Sequence, residues 1–160
     1  MNLKFDYNNM MKDAIGDKGI CSCAFEKQAA LIAKAHKNVM DNRGKGWQEW
    51  CDLPFVGGDY LDEIISYCGE IGKKADSFVL FGIGGSALGP LAVATSLLHL
   101  HHNELPRELR KAPKLYVEDN VDPERMQALL DVIDLKSAYF NVVTKSGETS
   151  ETLSQFLILY

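Results

Sequence analysis

Apolar positions recur at two different periods along this 160-residue chain, and the change falls near Lys74. Up to that point the period is helical. Phe25, Ala29, Ile32, Ala35 or His36, and Val39 stand three or four apart between Ser22 and about Arg43, with Gly44 placed to end the helix. Residues 1–20 are mixed, and Gly16 and Gly19 interrupt any long element there. Trp47, Trp50 and Leu53 predict a further turn before Pro54, with the two tryptophans read as core anchors by default and as part of a subunit contact otherwise. Gly57-Gly58 leads to Asp59, a helix N-cap, and Leu61, Ile64, Ile65, Cys68 and Ile71 form the apolar side of the helix that follows.

Beyond Lys74 short apolar runs alternate with helical stretches. Ser77–Phe81 reads as a strand, and a helix from about Ser86 carries Leu88, Leu91, Leu97 and Leu98. Pro90 is expected in its first turn, where a missing N–H costs little. Lys114–Glu118 reads as a second strand. Asp122-Pro123-Glu124 is a strong helix start, with Met126, Leu129, Leu130 and Ile133 on the buried side. Ala138–Val143 is the third strand, and a last helix starts near Thr149 or Ser150.

Strands with little alternation, separated by helices, predict an α/β fold: a parallel sheet covered on both faces by helices, in three layers. Residues 1–74 form a helical N-terminal extension packing on the sheet, and residues 75–160 the first part of the α/β domain. Three strands make a small sheet, and the chain ends on Leu153-Ser-Gln-Phe-Leu-Ile-Leu-Tyr160 without a capping residue, so the expectation is the front part of a larger protein.

Two loops carry the candidate chemistry. The first, Gly82-Ile-Gly84-Gly85-Ser86, follows the first strand. The second, Thr144-Lys145-Ser146-Gly147-Glu148-Thr149, follows the third. Right-handed crossovers bring both to the carboxyl edge of the sheet, where open α/β folds bind ligands. Backbone N–H groups, hydroxyls and a helix N-terminus converging there suit an anion, and the Lys145 charge adds to them. A phosphorylated ligand gripped from two sides is the expected partner. The first loop also satisfies Gly-x-Gly-x-x-Ala, the loose form of a dinucleotide fingerprint. The strand-end acids Glu118 and Asp119, however, lie about thirty residues past Ala87 where that fingerprint expects about twenty. These two acids could touch a ligand, but capping the next loop is the expectation.

Composition narrows the classes. Hydrophobic content of 46% and charged content of 24% are those of a globular protein, which sets aside disorder. A net charge of −5 argues against a nucleic-acid partner. Neither a signal sequence nor a membrane span is evident, so the expectation is a cytoplasmic protein with no membrane partner. Cys21, Cys23, Cys51 and Cys68 are then expected as reduced thiols, and Cys21-x-Cys23 is too tight for the usual zinc spacing. His99-Leu-His101-His102 sits at a helix end with no carboxylate at ligand spacing, so no metal and no cofactor is expected.

Phe81-Gly-Ile-Gly-Gly-Ser-Ala-Leu-Gly89 followed by Thr144-Lys-Ser-Gly-Glu-Thr-Ser-Glu-Thr152 resembles the amino-terminal sugar-isomerase (SIS) domain of the glucose-6-phosphate isomerase family. The order and separation of the two elements match, and the resemblance covers nearly the whole chain but about the first third of such an enzyme. It implies that Thr144, Lys145, Ser146 and Thr149 hold the phosphate of a hexose 6-phosphate, while Gly84, Gly85 and Ser86 line the site beside the sugar. It also implies a glycolytic and gluconeogenic aldose–ketose isomerase, cytoplasmic and dimeric at full length. A catalytic glutamate there moves a proton through an enediol, with a histidine opening the ring and an arginine stabilising charge. Those residues lie in later motifs of the family, so no residue of this chain is assigned as catalytic. Two departures stand in the second loop: Glu148 where the family often has Thr, and Thr144 where Ser is common. A sugar-phosphate-binding module without catalysis and a dinucleotide-binding enzyme are the alternative readings.

Overall fold

A computed structural model describes residues 3–160. The chain divides into two compact units, one ending at Gly58 and one running from Asp59 to Tyr160. The first unit holds short turns and helix α1 (Lys12–Ile15), then the long helix α2 (Ser22–Asp41) and a 3-10 stretch over Gly46–Phe55. None of its described residues is buried. Trp47 and Trp50, expected as core, are 85% and 66% exposed. One long helix beside short turns gives this unit no second layer against which to bury them. Cys21 and Cys23, expected as thiols, are joined as a disulfide at the start of α2; their Cα atoms lie 5.2 Å apart, within bridging reach. Cys51 and Cys68 are thiols.

The second unit is α/β. Helix α3 (Asp59–Lys74) precedes strand β1 (Ser77–Phe81), helix α4 (Gly85–Leu97), the short helix α5 (Arg107–Arg110) and strand β2 (Lys114–Glu118). Helix α6 (Pro123–Val132), strand β3 (Ala138–Val142) and helix α7 (Ser150–Leu159) complete it. All strands run parallel in the order β2-β1-β3. β1 is therefore central, and Val79, Leu80 and Phe81 are buried on its two faces. Val79 and Phe81 face a core of Met126, Leu129 and Ile133, packed with Phe140, Val142 and Leu159. On the opposite face Phe78 stacks on Tyr139, whose hydroxyl meets that of Tyr67 on α3. Asp122 caps α6 by accepting the N–H groups of Glu124 and Arg125, as its place before Pro123 predicts.

Two expectations fail on α3 and α4. Only Ile71 is buried on α3, and only Ala87 on α4, so Leu61, Ile65, Leu88 and Leu97 remain exposed. The apolar residues of α4 run all round it, so one packed side cannot cover them. Pro90 stands at the sixth position of α4, in its second turn rather than its first, because the helix begins at Gly85.

At the amino edge of the sheet one cation joins three segments. The Arg110 side chain, 2% exposed, pairs with the Asp76 carboxylate and donates to the Ala112 carbonyl at 2.9 Å. Lys114 approaches the same carboxylate at 3.6 Å. The Arg110 hydrogen bond, helped by the charges of Arg110 and Lys114 and opposed by burial, holds the Asp76 carboxyl below its ordinary value. A lowered carboxyl pKa contributes stability that is present above the unfolded value of 3.8 and lost as the pH falls through the folded one. Arg110→Met is expected to destabilise the fold by about 2 kcal/mol at neutral pH. In urea melts across the acid range, that difference from the parent should shrink as the pH drops below 3.8; a constant difference would show that the pair adds nothing beyond packing.

Candidate functional site

Strand β1 delivers its chain to the carboxyl edge between two neighbours that both hold it. The Val143 N–H donates to the Phe81 carbonyl at 2.9 Å, and the Gly82 N–H donates to the Glu118 carbonyl at 3.2 Å. From there the chain turns into α4 within three residues. Gly82 is tightly enclosed: a Cβ at this position would lie 3.0 Å from the Ser86 Cβ and 3.2 Å from the Ser86 carbonyl. That close return lets α4 begin at Gly85, with Gly84 as its N-cap and no side chain closing the helix end. The positive end of the α4 dipole is thus capped by backbone alone, at a place where Gly84 and Gly85 are exposed and Ser86 half-buried.

The second loop leaves β3 beside it. Phe81 pairs with Val142 in parallel register, so the two loops start from adjacent strand ends, about 4.8 Å apart. Three hydroxyls organise Thr144–Thr149. The Thr144 Oγ1 accepts the Gly147 N–H at 3.2 Å and shares a hydrogen bond with the Thr149 Oγ1 at 3.0 Å. The Ser146 Oγ accepts the Glu148 N–H at 3.2 Å. Gly147 has φ +77°, a left-handed conformation that a side chain would strain. Thr149 stands at the N-cap of α7 but does not cap it through its hydroxyl, which is turned to Thr144 instead. Thr144 and Thr149 are half-buried, while Lys145, Ser146 and Glu148 are exposed. The structure thus brings all seven candidate residues, Gly84, Gly85, Ser86, Thr144, Lys145, Ser146 and Thr149, to one edge of the sheet.

Glu118 and Asp119 do not cap the following loop, as was expected of them. Both pair with Arg125 on α6, through Nε to Glu118 at 3.2 Å and Nη1 to Asp119 at 2.8 Å, and Arg125 also donates to the Val117 carbonyl at 3.1 Å. Nothing in the spacing of Arg125 announced this. Gln155 of α7 was missed too, although its distance of three residues from Thr152 placed two polar side chains on one side of an apolar helix. Its Nε2 donates to the Asn120 carbonyl at 2.8 Å. The histidines near the end of α4 are occupied singly: His101 with Glu104 at 3.2 Å, and His102 with the Pro113 carbonyl at 3.0 Å. Among the described residues no group of three or more His, Cys, Asp or Glu could hold a metal ion. The groove of about 400 Å³ that these histidines help to line includes neither candidate loop.

Burial raises the Glu118 carboxyl above its ordinary value, and the Arg125 charge opposes that rise. A raised carboxyl contributes most stability below the unfolded value of 4.5 and loses it as the pH climbs through the folded one. Replacing Glu118 by Gln is therefore expected to stabilise the fold at pH 7 by up to about 1 kcal/mol, since Arg125 keeps Asp119. Thermal melts at pH 7 and pH 4 check this: the gain should fade at the lower pH, and a loss at pH 7 would mean that the Arg125 pair outweighs the burial cost.

The family model described as phosphoglucose isomerase matches residues 59–157. The chain is 45% identical to a glucose-6-phosphate isomerase of Carboxydothermus hydrogenoformans, over 99% of this chain and 34% of that protein. It is 46% identical to a glucose-6-phosphate isomerase of Rubrobacter xylanophilus over 53% of this chain and 19% of that one. The crystal structure of a hypothetical protein from Thermus thermophilus superposes with a TM-score of 0.64 at 30% identity, over 85% of this chain and 30% of that chain. The chain spans about a third of the length of the Carboxydothermus relative. The match to the family model takes in all three strands and both loops of the carboxyl edge, and the chain belongs to the phosphoglucose isomerase family.

Proposed function

We propose that this chain is the amino-terminal portion of a glucose-6-phosphate isomerase and supplies its sugar-phosphate grip. The reaction interconverts glucose 6-phosphate and fructose 6-phosphate by moving a proton between adjacent carbons through an enediol, as in glycolysis and gluconeogenesis. The observation that carries the reading is the pairing of Phe81 with Val142, which sets the two loops side by side.

In this reading the phosphate lies over Thr144–Thr149. The Ser146 hydroxyl, already accepting the Glu148 N–H, keeps its own proton to donate to a phosphate oxygen. Of the Thr144 and Thr149 hydroxyls, one donates to the other and leaves one proton for the ligand. Lys145 supplies positive charge. Gly84, Gly85 and Ser86 present backbone N–H groups and a hydroxyl to the sugar at the dipole end of α4. No residue here takes the catalytic role, so proton transfer belongs to the rest of the enzyme. The domain is of the sugar-isomerase (SIS) type, and the full-length protein is a cytoplasmic homodimer.

A dinucleotide is disfavoured by a specific contact. Its ribose calls for an unengaged acid at the end of β2, whereas Glu118 and Asp119 are both paired with Arg125.

Thermal-shift titration of the 160-residue chain with fructose 6-phosphate, inorganic phosphate and NAD(H) tests the reading. A ligand at a hundred times its dissociation constant adds roughly 2.7 kcal/mol of stability. Fructose 6-phosphate is expected to raise the melting temperature, and Lys145→Ala to weaken that binding about tenfold or more. No isomerisation is expected from this chain by itself. A shift with NAD(H) and none with the sugar phosphate would overturn the assignment, and turnover by the isolated chain would show that the proton-moving base lies within these residues.

A further inference from the structure

Helix α7 turns polar side chains toward the sheet where a helix that only covered it would carry apolar ones. Thr152 is fully buried and Gln155 is 2% exposed. Burying an amide costs stability unless hydrogen bonds offset it, and for Gln155 the offset is partial. Its Nε2 donates to the Asn120 carbonyl at 2.8 Å and more distantly to the Glu118 carbonyl at 3.5 Å. Its Oε1 and the Thr152 hydroxyl are buried with no hydrogen-bond partner among the described residues. A leucine at position 155 would bury without that cost. What the glutamine adds is direction.

That direction joins the two loops. The Glu118 carbonyl that Gln155 approaches is the same atom that accepts the Gly82 N–H at 3.2 Å. The end of β2 therefore meets the first residue of the β1 loop and the side chain of the helix that follows the β3 loop. Gln155 stands five residues past Ser150, about 7.5 Å along the helix axis, so a rigid α7 carries its position back to the Thr144–Thr149 turn.

We propose that Gln155 is a positioning residue: by tying α7 to the end of β2 it fixes Thr144–Thr149 relative to Gly82–Ser86, so that both loops close on one ligand. The identity of that ligand rests on the sugar-phosphate reading above; the tie between the loops does not.

The test compares the parent chain with Gln155→Met, which fills the same space without the amide, and Gln155→Asn, which keeps the amide but falls short of the carbonyls. Inorganic phosphate engages the second loop, whereas fructose 6-phosphate spans both. Each substitution is expected to weaken fructose 6-phosphate about tenfold while leaving inorganic phosphate within about twofold, the loss of one orienting hydrogen bond. Amide resonances are recorded on the same proteins, and those of Gly84–Ser86 and Thr144–Thr149 are expected to shift in both variants. Equal losses for the two ligands, or no loss for either, would overturn the positioning role and leave Gln155 a packing residue. Should neither ligand bind the parent, the sugar-phosphate reading fails, and the amides decide alone. Shifts reaching both loops then uphold the tie, and shifts confined to Glu118–Asn120 and the body of α7 refute it.

Discussion

The second unit depends on the burial of β1. Val79, Leu80 and Phe81 leave water on two faces at once, each worth roughly 1.5–3 kcal/mol, and the strand hydrogen-bonds to a neighbour on each side. Only a central strand meets both demands. With β1 in the middle, β2 and β3 flank it and both crossover connections pass over its faces. The loop after β1 then lies between the ends of the other two strands. The proposed ligand site follows from this placement.

Polar ties set the edges of the sheet where apolar burial has no direction to give. At the amino edge, Arg110 is sequestered from water and answered by Asp76 and the Ala112 carbonyl. At the carboxyl edge, Arg125 gathers Glu118 and Asp119 and so engages the two acids at the end of β2. The hydroxyl loop behaves similarly: Thr144, Ser146 and Thr149 already bond within their own turn, which gives the proposed phosphate a shaped site. Preformed geometry of this kind reduces the ordering cost of binding.

The site also divides the labour of the proposed reaction. Holding a phosphate needs N–H groups, hydroxyls and a cation, and short loops on a rigid sheet edge supply them. Moving a proton between carbons needs a tuned base at a fixed distance from that grip, and no residue here is assigned that role. The apolar exposure of α4 is a separate matter. A helix apolar on every side has the composition of one packed on every side, yet Ala87 alone is buried.

Much of this was legible in the chain. The runs at Ser77–Phe81 and Lys114–Glu118 marked their strands residue for residue, and Asp122-Pro123 marked the start of α6. The glycines and hydroxyls of the two loops marked the candidate site, because turn chemistry and capping act between residues close in sequence. The strand order β2-β1-β3, the exposure of Trp47 and Trp50, and the roles of Arg125 and Gln155 were decided by the tertiary structure. Gln155 reaches a carbonyl 35 residues away and the Arg110 guanidinium a carboxylate 34 residues away. A local pattern records what a residue is and which face of its own element it shares. Which distant backbone group satisfies it depends on how the elements pack, and no short-range period encodes that.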